Sequence, residues 1–287
     1  MTAILLVNRL LLRSCGGEFA PKPSAISVQH RRALAVQTDQ YTWLSIKGIG
    51  WVHGPPWVVL SPKDAELCFG FLDGQSARRE VEVSRWLRAH DCDVTNCVAA
   101  ATLSDADLSL VGVQELPRFR NGNMIEPTVL FTQCRSALRV SDWTPRRLAQ
   151  WLAELEHFFG SNNAPNDKVS LVTAFARHLA TTIRRYHSLG AVNDTLASDN
   201  VTIAGEITDF EWFYVPEIPL PDGTTDVRLS ERQAKEAIYL IDVLLSLTEG
   251  LCLDISIAEL AAAALPQDFV YDGCLPFDRQ LADLCRV

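Results

Sequence analysis

The chain has 287 residues, of which 48% are hydrophobic and 21% charged, with a formal net charge of −9. That is an ordinary globular composition, long enough for one large domain or two lobes with ample core. The acidic balance argues against a broad nucleic-acid surface, which needs a basic face, and no apolar run is long enough to span a membrane. The 8 cysteines form no Cys-x-x-Cys pair and no His stands at zinc-finger spacing, so reduced thiols in a cytoplasmic protein are expected.

At the start, Arg9 and Arg13 interrupt an apolar stretch, and the order of basic and apolar residues is wrong for a secretory signal. Ile4 to Leu12 therefore reads as an amphipathic helix or strand packed on the body. Tyr41 to Ile46 alternates and is aromatic and β-branched, which predicts a strand. Trp57 to Leu60 and Leu67 to Leu72 are two more short runs, punctuated by Gly54-Pro55-Pro56 and Asp73-Gly74 as turns. Glu80 to Ala89 predicts a helix with Val83, Trp86 and Leu87 on one face. Ala99 to Leu103, Leu108 to Val113 and Thr128 to Phe131 predict further strands, with a polar loop from Pro117 to Pro127.

The rest reads as helical. Thr144-Pro145 caps a helix carrying Leu148, Trp151, Leu152, Leu155 and Phe159, and Gly160 stops it. Ser161 to Asp167 is a linker, and Val169 to Tyr186 a second helix. Pro216 to Gly223 is a proline-rich loop. Ser230-Glu231-Arg232-Gln233 reads as a capping box opening a helix to about Thr248. One more helix, Ile255 to Ala264, precedes a loose tail. Trp143, Trp151 and Trp212 are expected in the core.

Between the second helix and the proline-rich loop lies the stretch with the most chemistry in it. Asp199-Asn200 is followed by a short apolar run, a turn at Gly205, a second short run and Asp209-Phe210. A hairpin there brings Asp199, Asn200 and Asp209 to one end. Enzymes that transfer groups from ATP need such a set: one Asp at the acceptor hydroxyl, an adjacent Asn on a metal ion, and a second Asp on the metal that bridges the phosphates. They also need a strand lysine for the phosphates and a helix glutamate to hold it. Lys47 ends the Tyr41 to Ile46 strand and is followed by Gly48-Ile49-Gly50. Glu80 opens the next helix, with Glu82 as its rival. The expected fold is α+β: a bilobal protein-kinase-like fold with a strand-rich N-lobe (1–140) and a mainly helical C-lobe (141–287).

The order of these segments resembles the selenoprotein O family, whose chains carry Leu-Lys-Gly-x-Gly, Gly-Asp-Gly-Arg, an Arg-Glu-Phe helix start, Asn-Thr-Asp-Asn and Asp-Tyr-Gly on a kinase-like fold. Here Ile46-Lys47-Gly48-Ile49-Gly50, Asp73-Gly74-Gln75, Arg79-Glu80-Val81, Ala197-Ser198-Asp199-Asn200 and Thr208-Asp209-Phe210 are similar, in the same order. The resemblance implies that Lys47, Gly48 and Gly50 meet the phosphates and that Glu80 holds Lys47. It places Asp199 at the acceptor, and Asn200 and Asp209 on Mg²⁺ or Mn²⁺. Two family arginines hold ATP inverted, which implies AMP transfer. Leu138-Arg139 matches the second; Thr132 stands at the first, with Arg135 three residues on as the substitute.

The chain departs from the family at Asn193-Asp194, where the family has His-Gly, and at Glu211, where it has the glycine of Asp-Tyr-Gly. The function so implied is transfer of AMP (adenylylation) or phosphate from ATP to a hydroxyl on a protein, peptide or small molecule. The alternatives are a small-molecule or peptide kinase, and a catalytically inactive kinase-shaped binding module, which the two departures favour. Neither nucleic acid nor membrane is an expected partner.

Overall fold

The structure is a computed structural model that describes residues 26–29, 33–48, 72–104, 107, 126–160, 167–224 and 228–286. The strands expected at Trp57 to Leu60 and Leu108 to Val113, and the segment Ile4 to Leu12, lie outside the described residues. The architecture is mixed, an antiparallel sheet and six helices among the described residues. The chain divides into two compact units, Met1–Arg85 with Thr95–Ala137, and Trp86–Val94 with Leu138–Val287.

The first unit is built on a sheet of β1 (Ile26–Gln29), β2 (Ala33–Asp39), β3 (Thr42–Lys47), β4 (Leu72–Asp73), β5 (Asn96–Thr102) and β6 (Pro127–Cys134), all paired antiparallel. β6 is the hub. Thr128 pairs with both Leu72 and Thr102, so β5 lies along one edge of β6, and β3 followed by β4 along the other. Proline at the first residue of β6 removes no interior ladder bond. Ala35, Trp43, Cys134 and Ala137 form one apolar cluster on this sheet, and Ile46 and Leu72 are fully buried.

Helix α1 (Gly74–Ala89) begins six residues before the expected start at Glu80. Asp73 ends β4 and accepts the Gln75 N–H at 2.8 Å, so its carboxylate satisfies a donor of the first turn where the sequence reads as a plain turn. Inside the unit, Ser84 ties this helix to β5: its hydroxyl donates to the Thr95 carbonyl at 2.7 Å and accepts the Cys97 N–H at 3.0 Å.

The second unit is helical. α2 (Leu148–Phe159) ends at Gly160, as the sequence predicts, but Pro145 opens a 3-10 turn, Pro145–Arg147, ahead of it, and the Thr144 side chain makes no capping bond. α3 (Lys168–Ser188) is capped by Asp167, whose carboxylate accepts the Ser170 N–H at 2.8 Å. Its buried Leu171, Val172, Phe175, Ala176, Leu179 and Ile183 recur at helical spacing. α4 (Leu229–Leu251) is the long central helix. The expected capping box does not form: Ser230 lies inside the helix, and the Gln233 amide donates to the His187 carbonyl instead. α5 (Ile257–Ala264) has a true capping box between Ser256 and Glu259.

The expected loose tail is instead helix α6 (Pro276–Leu284), which packs on α4 and α5. Arg184 of α3 donates to Asp278 of α6 at 2.7 Å. Of the three tryptophans expected in the core, only Trp151 is buried; Trp143 and Trp212 are exposed. No helix among the described residues is long and apolar enough to cross a membrane.

Candidate functional site

In the first unit, Lys47 ends β3 in register with Leu130 of β6. Its ammonium lies 3.0 Å from Oε1 of Glu80, which is 2% exposed, against 14% for Lys47. Glu80 belongs to the second turn of α1, facing inward, whereas Glu82 is exposed. The sheet and helix thus bring together the two charges that the sequence pairs. Gly48 follows with φ +88, and a Cβ there would lie 2.6 Å from the Thr128 carbonyl oxygen and 3.0 Å from the Leu72 nitrogen. Only glycine fits where β3 hands over to β4 along β6.

Gly50 lies outside the described residues. Thr132 is buried, its hydroxyl 3.5 Å from the Cys97 sulfur. Burial, with the Glu80 charge adding to it, pushes the Cys97 thiol up to about 12. Arg135 follows β6, half-buried.

In the second unit, β7 (Val192–Asn193) pairs with β8 (Phe213–Tyr214), and the chain between them carries the other candidates. Asp199 and Asn200 sit on a 3-10 turn, Ser198–Asn200. The hairpin is narrower than two strands. Val201 bridges Ile207, the Thr202 N–H donates to the Glu206 carbonyl at 2.9 Å, and the Thr208 N–H donates to the Asn200 carbonyl at 2.9 Å. Gly205 closes the turn onto Thr202 with φ +77. The last bond of the hairpin joins Thr208 to Asn200, so Asp199 comes immediately before it and Asp209 immediately after it in the chain, where the extended backbone gives way to the 3-10 turn and to the left-handed Asp209.

Asn200 is 8% exposed. Its Nδ2 donates to the Thr195 carbonyl at 2.8 Å. A carbonyl only accepts, so the amide orientation is fixed and Oδ1 is the atom left for a ligand. Asp209 is one of four non-glycine residues with positive φ among the described residues, at φ +66. Backbone strain of this kind collects at functional positions. Phe210, fully buried and 6.1 Å from the Phe213 ring, anchors the strained turn. Arg139 is brought to Asp199: its guanidinium donates to the Asp199 carbonyl, and its backbone bridges Thr202. Its first role is therefore to hold the Asp199 turn against the chain entering this unit.

Asn200 and Asp209 supply oxygen donors. Mg²⁺, which keeps several waters and takes one or two protein oxygens beside phosphates, suits such a sparse set. Among the described residues, no three His, Cys, Asp or Glu side chains cluster in a way that would hold a metal by themselves.

Two features are not among the sequence-derived candidates. Glu236 of α4 is buried, and its carboxylate accepts the backbone N–H of Asn193 and the Tyr186 hydroxyl, with His187 Nε2 3.2 Å away. Burial raises its pKa. The signal lay in α4 itself: Gln233, Glu236, Ala237 and Leu240 follow the inward spacing, which puts a carboxylate on an apolar face. The second is a pocket of about 430 Å³, lined in part by Asp194, Ser198, Asn200, Tyr239, Asp242 and Ser246. The last three fall on one face of α4, one turn apart.

No protein-family model matches the chain, and a search of curated proteins finds no match. The resemblance to the selenoprotein O family rests on the motif residues alone.

Proposed function

We propose that the chain is an ATP- and Mg²⁺-dependent transferase on a kinase-like bilobal fold of the selenoprotein O kind, acting on a hydroxyl acceptor. The observation that supports this reading is the hairpin, whose last bond joins Asn200 to Thr208 with Asp199 and Asp209 flanking it in the chain and Asn200 Oδ1 uncommitted. The Lys47–Glu80 pair supports it.

Lys47, oriented by Glu80, neutralises phosphate charge. Asn200 and Asp209 would hold Mg²⁺, which would supply further charge neutralisation at the phosphates. Asp199 orients the acceptor hydroxyl and takes its proton as the oxygen attacks phosphorus. For AMP transfer, the oxygen bonds to the α-phosphorus, the α–β bridging bond breaks, pyrophosphate leaves and the proton passes from Asp199 to solvent. For phosphate transfer, the oxygen bonds to the γ-phosphorus and ADP leaves. The family resemblance favours AMP. The free thiols of the described cysteines fit a cytoplasmic setting.

The test is label transfer from ATP carrying an α- or a γ-phosphate label, with Mg²⁺ or Mn²⁺, scored on the protein and on a cell extract. The α-label is expected to transfer, and Asp209→Ala to abolish it. A γ-label alone would mean a kinase. No label and no ATP-induced thermal shift would leave the kinase-shaped binding module.

A further inference from the structure

The pocket beside the Asp199 turn lies wholly within the second unit, between the Asp194–Asn200 loop and α4. At about 430 Å³ it is within the range of small-molecule sites, about 300–1,000 Å³. Its lining offers carboxylates, hydroxyls and the Asn200 amide, and none of its lining residues is Lys or Arg. Such walls disfavour a phosphate and suit a ligand rich in N–H and O–H donors.

The two carboxylates differ. Asp194 is bound by the Arg232 guanidinium, which neutralises it. Asp242 is exposed, and its carboxylate has no protein partner among the described residues. Lys235, the nearby cation on α4, lies over the Tyr239 ring at 5.1 Å. Asp242 is therefore the uncompensated charge of the lining. Ser198 and Asn200, which flank Asp199 in the chain, both belong to the wall.

We infer that this pocket binds the acceptor of the transfer, and that the acceptor is a small polyhydroxylated amine whose ammonium is met by Asp242. The inference rests on the transferase reading for the word acceptor. The binding it describes is independent of ATP.

Glucosamine and N-acetylglucosamine serve as probes, because acetylation removes the charge and keeps the ring hydroxyls. Dissociation constants are measured by ligand-observed NMR titration at pH 6, without ATP. Glucosamine is expected to bind about five- to tenfold more tightly, as one partly screened charge pair allows. Asp242→Asn should abolish the preference without altering the ATP-induced thermal shift, and Ser246→Phe should weaken both sugars by filling the pocket. Equal affinities, a preference that survives in Asp242→Asn, or no binding of either sugar at about 20 mM overturns the inference.

Asp209→Ala separates the two levels. Loss of the ATP shift with sugar binding intact is expected. Glucosamine that binds as described but receives no label from ATP overturns its role as the acceptor class while leaving ATP binding untouched.

Discussion

Replacing Lys47 by Met and Glu80 by Gln, singly and together, measures the ion pair on which the first unit's part of the chemistry depends. At 3.0 Å the Coulomb attraction is about 5.5 kcal/mol for an effective dielectric of about 20, and about 1.4 kcal/mol in bulk water. Glu80 is 2% exposed and Lys47 14%, so the pair belongs nearer the first limit, reduced by the cost of dehydrating both charges. A coupling free energy of about 2–3 kcal/mol follows. Lys47→Met alone should cost more than Glu80→Gln, because it leaves a charge in the more deeply buried partner. Peptide-resolved hydrogen exchange over Thr42–Lys47 reads the opening of this unit by itself, and the double-mutant cycle gives the coupling. A coupling below about 0.5 kcal/mol would refute the reasoning, since the two charges would then be solvated independently.

Gly48→Ala combines left-handed strain with a close approach to Thr128 and Leu72 and should cost about 3 kcal/mol. Gly223→Ala, at φ +76 with nothing within 4 Å, should cost only the strain, about 1 kcal/mol; equal losses by hydrogen exchange in each unit would contradict this. Glu236 has a pKa raised above 4.5 by burial, so its contribution to stability is full below that value and is lost as pH rises through the raised one. The stability of the wild type relative to Glu236→Gln should therefore fall as pH rises above 4.5 in urea titrations, and a rise would be the opposite of the sign derived. Alkylation at pH 8, mapped by mass spectrometry, should label exposed Cys252 well before Cys97, whose thiol is pushed to about 12.

Patterns that depend on residues close in sequence were legible. The strand before Lys47, the helix stop at Gly160 and the hairpin between Asn200 and Thr208 each follow from local alternation, a cap or a glycine turn. What escaped was decided at a distance. Gly74 to Arg79 has poor helix-forming residues at its start, yet α1 begins there because Asp73 caps it and the sheet holds Asp73. Ser230 and Gln233 have the spacing of a capping box, but α4 continues over them and Gln233 turns to the His187 carbonyl. The tail helix at Pro276 is short, and it is stabilised by packing on α4 and α5, contacts that its own residues do not announce. The spacing of α4 marks Glu236 as a carboxylate on an apolar face, but not the Asn193 N–H and Tyr186 hydroxyl that it meets, which come from elsewhere in the chain.

The hairpin is fastened at both ends. A Cβ on Gly205 would lie 2.6 Å from the His178 ring and 3.2 Å from the Phe159 ring, so α2 and α3 grip the turn with no slack. At the other end the Arg139 guanidinium holds the Asp199 carbonyl, the Val140 N–H donates to the Val201 carbonyl at 2.9 Å, and buried Phe210 pins the chain after Asp209. A span with two supports behaves as a bridge and not as a lever, so loosening one support leaves the aspartates located by the other.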